Sequence, residues 1–120
     1  MTVQSMCITL VDPTEGSAVG AAEMYFTTPL EMTIVGVSAC PQADDADATV
    51  DINDDGTGVI TAVDASDADA PGTWEATGYG GTEDPVVIAA GSDVNIDVNS
   101  AANGNAFYVV IFYLAGTQPA

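Results

Sequence analysis

The run Phe107-Tyr108-Val109-Val110-Ile111-Phe112-Tyr113-Leu114 constrains this chain more than any other stretch. It is apolar or aromatic at every position and rich in β-branched and aromatic residues. It therefore reads as a strand that needs cover on both faces. Its alternate sets are Phe107, Val109, Ile111, Tyr113 and Tyr108, Val110, Phe112, Leu114. One set is expected to meet the chain's own core. The other calls for the N-terminal segment, a sister subunit, or both. Just upstream, Val94, Ile96 and Val98 alternate with Asn95, Asp97 and Asn99. That period of two marks a half-buried strand with its polar side in water. A short Asn/Gly turn between the two runs predicts that they close the chain as a hairpin.

The earlier sequence repeats the strand-and-turn pattern. Met6 to Val11 reads as a strand, broken by the turn Asp12-Pro13-Thr14-Glu15-Gly16-Ser17. Leu30, Met32 and Ile34 alternate with polar residues. The phase shifts at Val35-Gly36-Val37, which predicts a bulge at Gly36, and the strand ends near Cys40-Pro41. Thr49 to Asn53 and Gly58 to Val63 flank Asp54-Asp55-Gly56, a strong hairpin signal. Asp64 to Gly72 reads as an exposed loop. Thr73 to Thr77 is a short strand around the single Trp, Gly78 to Thr82 is flexible by composition, and Pro85 to Ala89 is a further strand. No convincing amphipathic helix separates these elements. The expected fold is all-β: an antiparallel β-sandwich, jelly-roll-like, of about seven or eight strands. Residues 1–24 would form an N-terminal arm with one strand, 25–116 the sandwich and 117–120 a tail.

Charge narrows the function. The 120 residues hold 18 acids and no Lys, Arg or His, a formal net charge of −18. No ion pair between side chains can form within them, so burial and backbone hydrogen bonding must hold the fold. Nucleic-acid binding requires cations to displace phosphate counterions, and anionic lipid is disfavoured for the same reason. Neither a nucleic acid nor a membrane is an expected partner. The N-terminus lacks a positive region and a long apolar core, so it does not read as a signal peptide. General-base, Schiff-base and anion-stabilising chemistry lack their usual residues, and the chain is not expected to be an enzyme or to need a cofactor.

Three constellations invite sharper readings. Asp51-Ile52-Asn53-Asp54-Asp55-Gly56 opens like a calcium loop, but the position that should carry a bidentate Glu is Ala62. The hairpin reading is preferred, leaving Asp51, Asn53 and Asp55 as candidates for diffuse cation binding only. Trp74 and Tyr79 lie near Gly-rich sequence and could stack on a sugar face. The plainer reading has Trp74 plugging one end of the core. Cys7 and Cys40 could pair if their strands were neighbours, but two small buried hydrophobes are preferred.

The stretches Ala48 to Ile60 and Ile88 to Val98, followed by the apolar last strand, resemble a β-sandwich module of bacteriophage virion proteins. The shared features are a Thr-x-Asp-Ile-Asn hairpin ending in Gly, an Ile-Ala-Ala-Gly turn, and an alternating strand. The resemblance covers about two thirds of the chain, which departs from the pattern in its acidic loops and its lack of basic residues. It implies a head decoration (cement) protein on the capsid surface of the virion. Such a protein binds the major capsid protein and stabilises capsomer contacts, most commonly as a homotrimer. The alternative is a receptor- or glycan-binding module of a phage tail or fibre, working through Trp74 and Tyr79. For decoration, the expected interface residues are Phe107, Tyr108, Val110, Phe112 and Leu114, with Met6 and Ile8.

Overall fold

The fold is built around an antiparallel pair, β3 (Met32–Pro41) and β9 (Ala106–Ala115), which run side by side from Met32↔Ala115 to Pro41↔Phe107. The computed structural model describes residues 2–11, 23–99 and 105–116. On the far side of β9 lies β1 (Gln4–Val11). On the far side of β3 lie two short strands, β6 (Gly72–Glu75) and β7 (Val86–Ile88). The second sheet holds β2 (Glu23–Thr27), β8 (Asp93–Asn99), β4 (Thr49–Asp54) and β5 (Thr57–Asp64), in that order. Taking β6 and β7 as one interrupted edge strand, the pairs are β1 with β9, β2 with β8, β3 with β6/β7, and β4 with β5. This is one long hairpin wrapped into two sheets, the jelly-roll form of the β-sandwich.

The core lies between the sheets. One contributes Ile8, Leu10, Ile34, Val37, Phe107, Val109 and Ile111; the other contributes Val50, Ile52, Ile60, Val94, Ile96 and Val98. The alternation in β8 thus points Val94, Ile96 and Val98 inward. The set Phe107, Val109, Ile111 of β9 does the same from the opposite sheet. That arrangement corrects the expected closing hairpin. β8 and β9 belong to different sheets and do not pair. Each presents its apolar side to the same core from opposite directions, which a tight two-strand hairpin in one sheet cannot do. The turn expected between them lies, at 100–104, outside the described residues, as do the turn at 12–17 and the tail at 117–120.

Register shifts in β3 and β5 adjust the pattern. In β3 the register with β9 slips between Ile34 and Gly36. The extra residue, Val35, leaves the main core and forms a small second cluster with Ala76 and Leu114. In β5, Thr61 and Ala62 together oppose Asp51 of β4. Ala62 takes φ +58° and its N–H donates to Asp51 Oδ1 at 2.7 Å. The bulge brings Ile60 and Val63, three apart, onto the same inner face. Between β4 and β5, Asp55 and Gly56 both have positive φ, as a two-residue type I′ turn requires.

Three local readings change or sharpen. β1 is an integral strand of the first sheet rather than an arm, paired with β9 along its whole length. Residues 65–71 form the expected loop, exposed at Asp67, Asp69, Ala70 and Pro71, but its start is anchored: Ala65 is buried, its N–H donates to Ala48 O at 2.9 Å, and Asp45 N–H donates to Ser66 O at 2.9 Å. Gly78 to Gly81 is a tight turn, in which the N–H groups of Tyr79 and Gly81 both donate to Ala76 O.

Candidate functional site

The sandwich presents two outer faces of opposite character. The first belongs to the sheet of β9. Its rows run Ser5–Phe112–Gly36–Glu75, Cys7–Val110–Ser38–Thr73 and Thr9–Tyr108–Cys40. Glu75 is the only charged side chain in those rows. Tyr108 is 41% exposed and Phe112 39%, with Val110 half-buried between them. Gly36 forms the floor under Phe112, since a Cβ there would stand 3.3 Å from the ring. Beside it is a hollow of about 180 Å³ lined by Val3, Val35, Tyr79 and Phe112, with Glu75 at its rim.

The expected interface residues divide between this face and the interior. Tyr108, Val110 and Phe112 stand on the outer face. Leu114 is buried there with Val35 and Ala76. Phe107 and Ile8 are buried in the chain's own core and are not available to a second chain. Met6 is half-buried at the edge between the sheets, lining a 300 Å³ hollow with Phe26, Leu30 and Tyr113. β1 extends the sheet beside β9 rather than lying over it, so β1 does not cover this face.

Trp74 and Tyr79 do not form one platform. Trp74 pairs with Val37 and packs against both hydrophobic clusters. Tyr79 lines the outer hollow, from which Trp74 is absent. Cys7 and Cys40 are both free, and Cys7 is exposed rather than buried. Their strands flank β9 and they stand in different rows, Cys7 opposite Val110 and Cys40 opposite Tyr108, so they are more than two strand spacings, about 9–10 Å, apart. That exceeds the reach of a disulfide.

The second outer face is acidic. Its rows run Glu23–Asp97–Asp51, Tyr25–Asn95–Asn53 and Thr27–Asp93, the last continued by Asp55. Asp51 accepts from Ala62 N–H and from Asn99 Nδ2 at 3.0 Å. The place a calcium ligand would occupy is therefore a backbone donor closing a bulge. Asn53 Nδ2 donates to Asn95 Oδ1 at 2.8 Å, and Asp55 Oδ1 accepts from Asp93 N–H at 2.9 Å. Among the described residues no group of three or more acidic or thiol side chains is arranged to hold a metal. Burial, then the charges of Glu23 and Asp51, push the Asp97 carboxyl up from its ordinary value.

Sequence reasoning missed Tyr25, Asn95 and Asp93 as a cluster. The alternation in β8 did put Asn95 on the polar side. Its burial follows from having β2 and β4 on either side, which periodicity within one strand does not reveal. No family model matches the chain, and no similar curated protein or solved structure was found.

Proposed function

We propose that this chain is a structural virion protein, a decoration β-sandwich that associates with sister copies and the capsid shell through the outer face of β1, β9 and β3. The observation that carries the reading is the asymmetry of the two faces. One presents Tyr108, Val110 and Phe112 with a single carboxylate at its edge. The other carries rows of carboxylates. Apolar, weakly charged surface is what association buries, whereas two copies meeting acid face to acid face repel each other. Contact is thus steered to the β9 face, and the acidic face is left to solvent. A jelly roll alone does not choose between roles, since the architecture serves viral shells and lectins alike. The tail-module reading through Trp74 and Tyr79 has less support, because Trp74 packs against the core.

The test is cosedimentation with shells assembled from the major capsid protein of the phage that this reading requires as the source, with light scattering of the chain alone. A trimer that saturates the shells is expected, and Phe112→Asp should yield a folded monomer that leaves them bare. A wild-type monomer that never sediments with shells overturns the proposal. So does recovery of a few copies confined to the tail of intact particles.

A further inference from the structure

The apolar outer face carries one charge that no side chain of this protein can neutralise. Glu75 and Phe112 stand on either side of Gly36 in one row. The glycine puts no side chain between them, although their backbones are two strand spacings apart, about 9–10 Å. The hollow of about 180 Å³ opens there. The turn after β6 is shaped around the acid. Gly80, at φ +102°, keeps the place beside the carboxylate clear, since a Cβ there would collide with Glu75 Oε2. Gly81 packs against the Glu75 carbonyl. The same turn sets Tyr79, 43% exposed, on the wall of the hollow, and Val3 and Val35 complete the lining. The Glu75 carboxylate accepts no hydrogen bond among the described residues.

This lining selects its occupant. At such a size the hollow takes one side chain rather than a drug-sized ligand. An anion is repelled by Glu75. A neutral apolar group strips water from the carboxylate and returns nothing. A metal ion needs several oxygen ligands, and Glu75 is the only carboxylate among the described residues that line the hollow. A long cationic side chain suits every part of it. Its methylene stem packs on Val3 and Val35, and its charged head meets two aromatic rings and a carboxylate.

A sister copy cannot supply that side chain, because the sequence has no Lys, Arg or His. A copy closing over Glu75 would bury the charge uncompensated. We infer that the hollow at Glu75 receives a Lys or Arg side chain of a different protein, and that it marks the part of the β9 face given to the shell rather than to sister copies. The assignment to the shell rests on the decoration reading; the cation-accepting hollow does not.

Two measurements test this. The first is an NMR titration of the ¹⁵N-labelled chain with n-butylammonium chloride and ethylguanidinium chloride, each against sodium chloride at equal ionic strength. At least one organic cation should shift the backbone amide signals of Val35, Gly36, Tyr79 and Gly80 saturably, with a dissociation constant on the order of tens of millimolar, and sodium should not. Glu75→Gln, a change at an exposed side chain, should weaken that response roughly threefold or more. Asp97→Asn, on the opposite face, should leave it unchanged. The second is cosedimentation with capsid shells. Glu75→Gln should keep the wild-type oligomeric state in solution yet bind shells about tenfold more weakly. Signals that follow ionic strength alone, or that respond equally in Glu75→Gln, overturn the inference. Wild-type shell binding by Glu75→Gln also overturns it while leaving decoration intact, as does a changed oligomeric state in that variant. Shells left bare by the wild type, with the hollow still saturating, overturn the decoration reading and uphold the cation-accepting hollow.

Discussion

Asp97 sits in the middle of a row of three carboxylates, between Glu23 on β2 and Asp51 on β4. Its folded pKa is raised, first by burial and then by those two neighbours. A raised acid binds its proton more readily in the folded state. It therefore costs stability above its folded pKa, and the cost vanishes as pH falls below the ordinary aspartate value. Asp97→Asn should accordingly stabilise the protein at pH 7 by about 0.5 kcal/mol, a figure already discounted for solvent screening. Paired thermal melts should show that gain disappearing below the aspartate range. Asp64 works in the opposite sense: the Ser66 hydroxyl and then the Ser66 N–H lower its pKa, so its contribution is present near neutrality and lost in acid. At Gly81 the limit is steric. A Cβ there would lie 1.6 Å from the Glu75 carbonyl oxygen, whereas at Gly78 it would meet nothing within 4 Å. Gly81→Ala should cost about 2–3 kcal/mol in urea unfolding. Gly78→Ala should cost about 1 kcal/mol, for its positive φ alone. Equal costs at the two sites would show that the turn yields more than its close contacts imply.

At the scale of elements, β9 divides its aromatic residues between two tasks. Phe107 is fully buried among core side chains, while Phe112 lies on the outer face over Gly36. Phe107→Ala should therefore cost about 3–5 kcal/mol, and Phe112→Ala about 1 kcal/mol or less in the isolated chain. Equilibrium unfolding at low protein concentration checks this; a large loss at Phe112 would assign its ring to the fold rather than to a surface. The inward phase of β9 could be read from sequence; the second cover that eight unbroken apolar positions call for is not supplied among the described residues, where Tyr108 and Phe112 stand exposed and β1 lies beside β9. The β4–β5 hairpin could be read too, because Asp-Gly is built for positive φ, and so could the bulge at Gly36, because the alternation slips there. The placement of β8 and β9 in separate sheets was not legible. Periodicity says which side chains share a face but not which strand lies alongside. Ala48 and Ala65 are buried in the core yet carry no periodic signal in an alanine- and aspartate-rich stretch. The makeup of the acidic face was hidden for the same reason as the sheet order: only the wrapped pairing of β2, β8 and β4 brings Tyr25, Asn95 and Asn53 into one row.

The whole molecule holds a formal charge of −18 within a body of 49 × 28 × 20 Å. No cationic side chain offsets it, so every pair of charged side chains repels, and unfolding relieves that repulsion by spreading the charges apart. Salt relieves it too, because the screening length falls from about 10 Å at 0.1 M to about 3 Å at 1 M. The melting temperature should therefore rise steadily with sodium chloride. It should also rise as pH drops from 7 into the acid range, because the folded state holds a proton on the raised Asp97 more readily than the unfolded chain does and the net charge shrinks. Divalent cations separate general screening from a specific site. The carboxylates of Asp51 and Asp55 are engaged with Ala62, Asn99 and Asp93, and no described group of acids is arranged to hold a metal. Calcium and magnesium chloride at equal ionic strength should then raise the melting temperature equally. A calcium curve that climbs well above the magnesium curve and saturates near one ion per chain would reveal a preorganised site and contradict a screening origin. A melting temperature unmoved by any of the salts would show that self-repulsion is not what limits this fold.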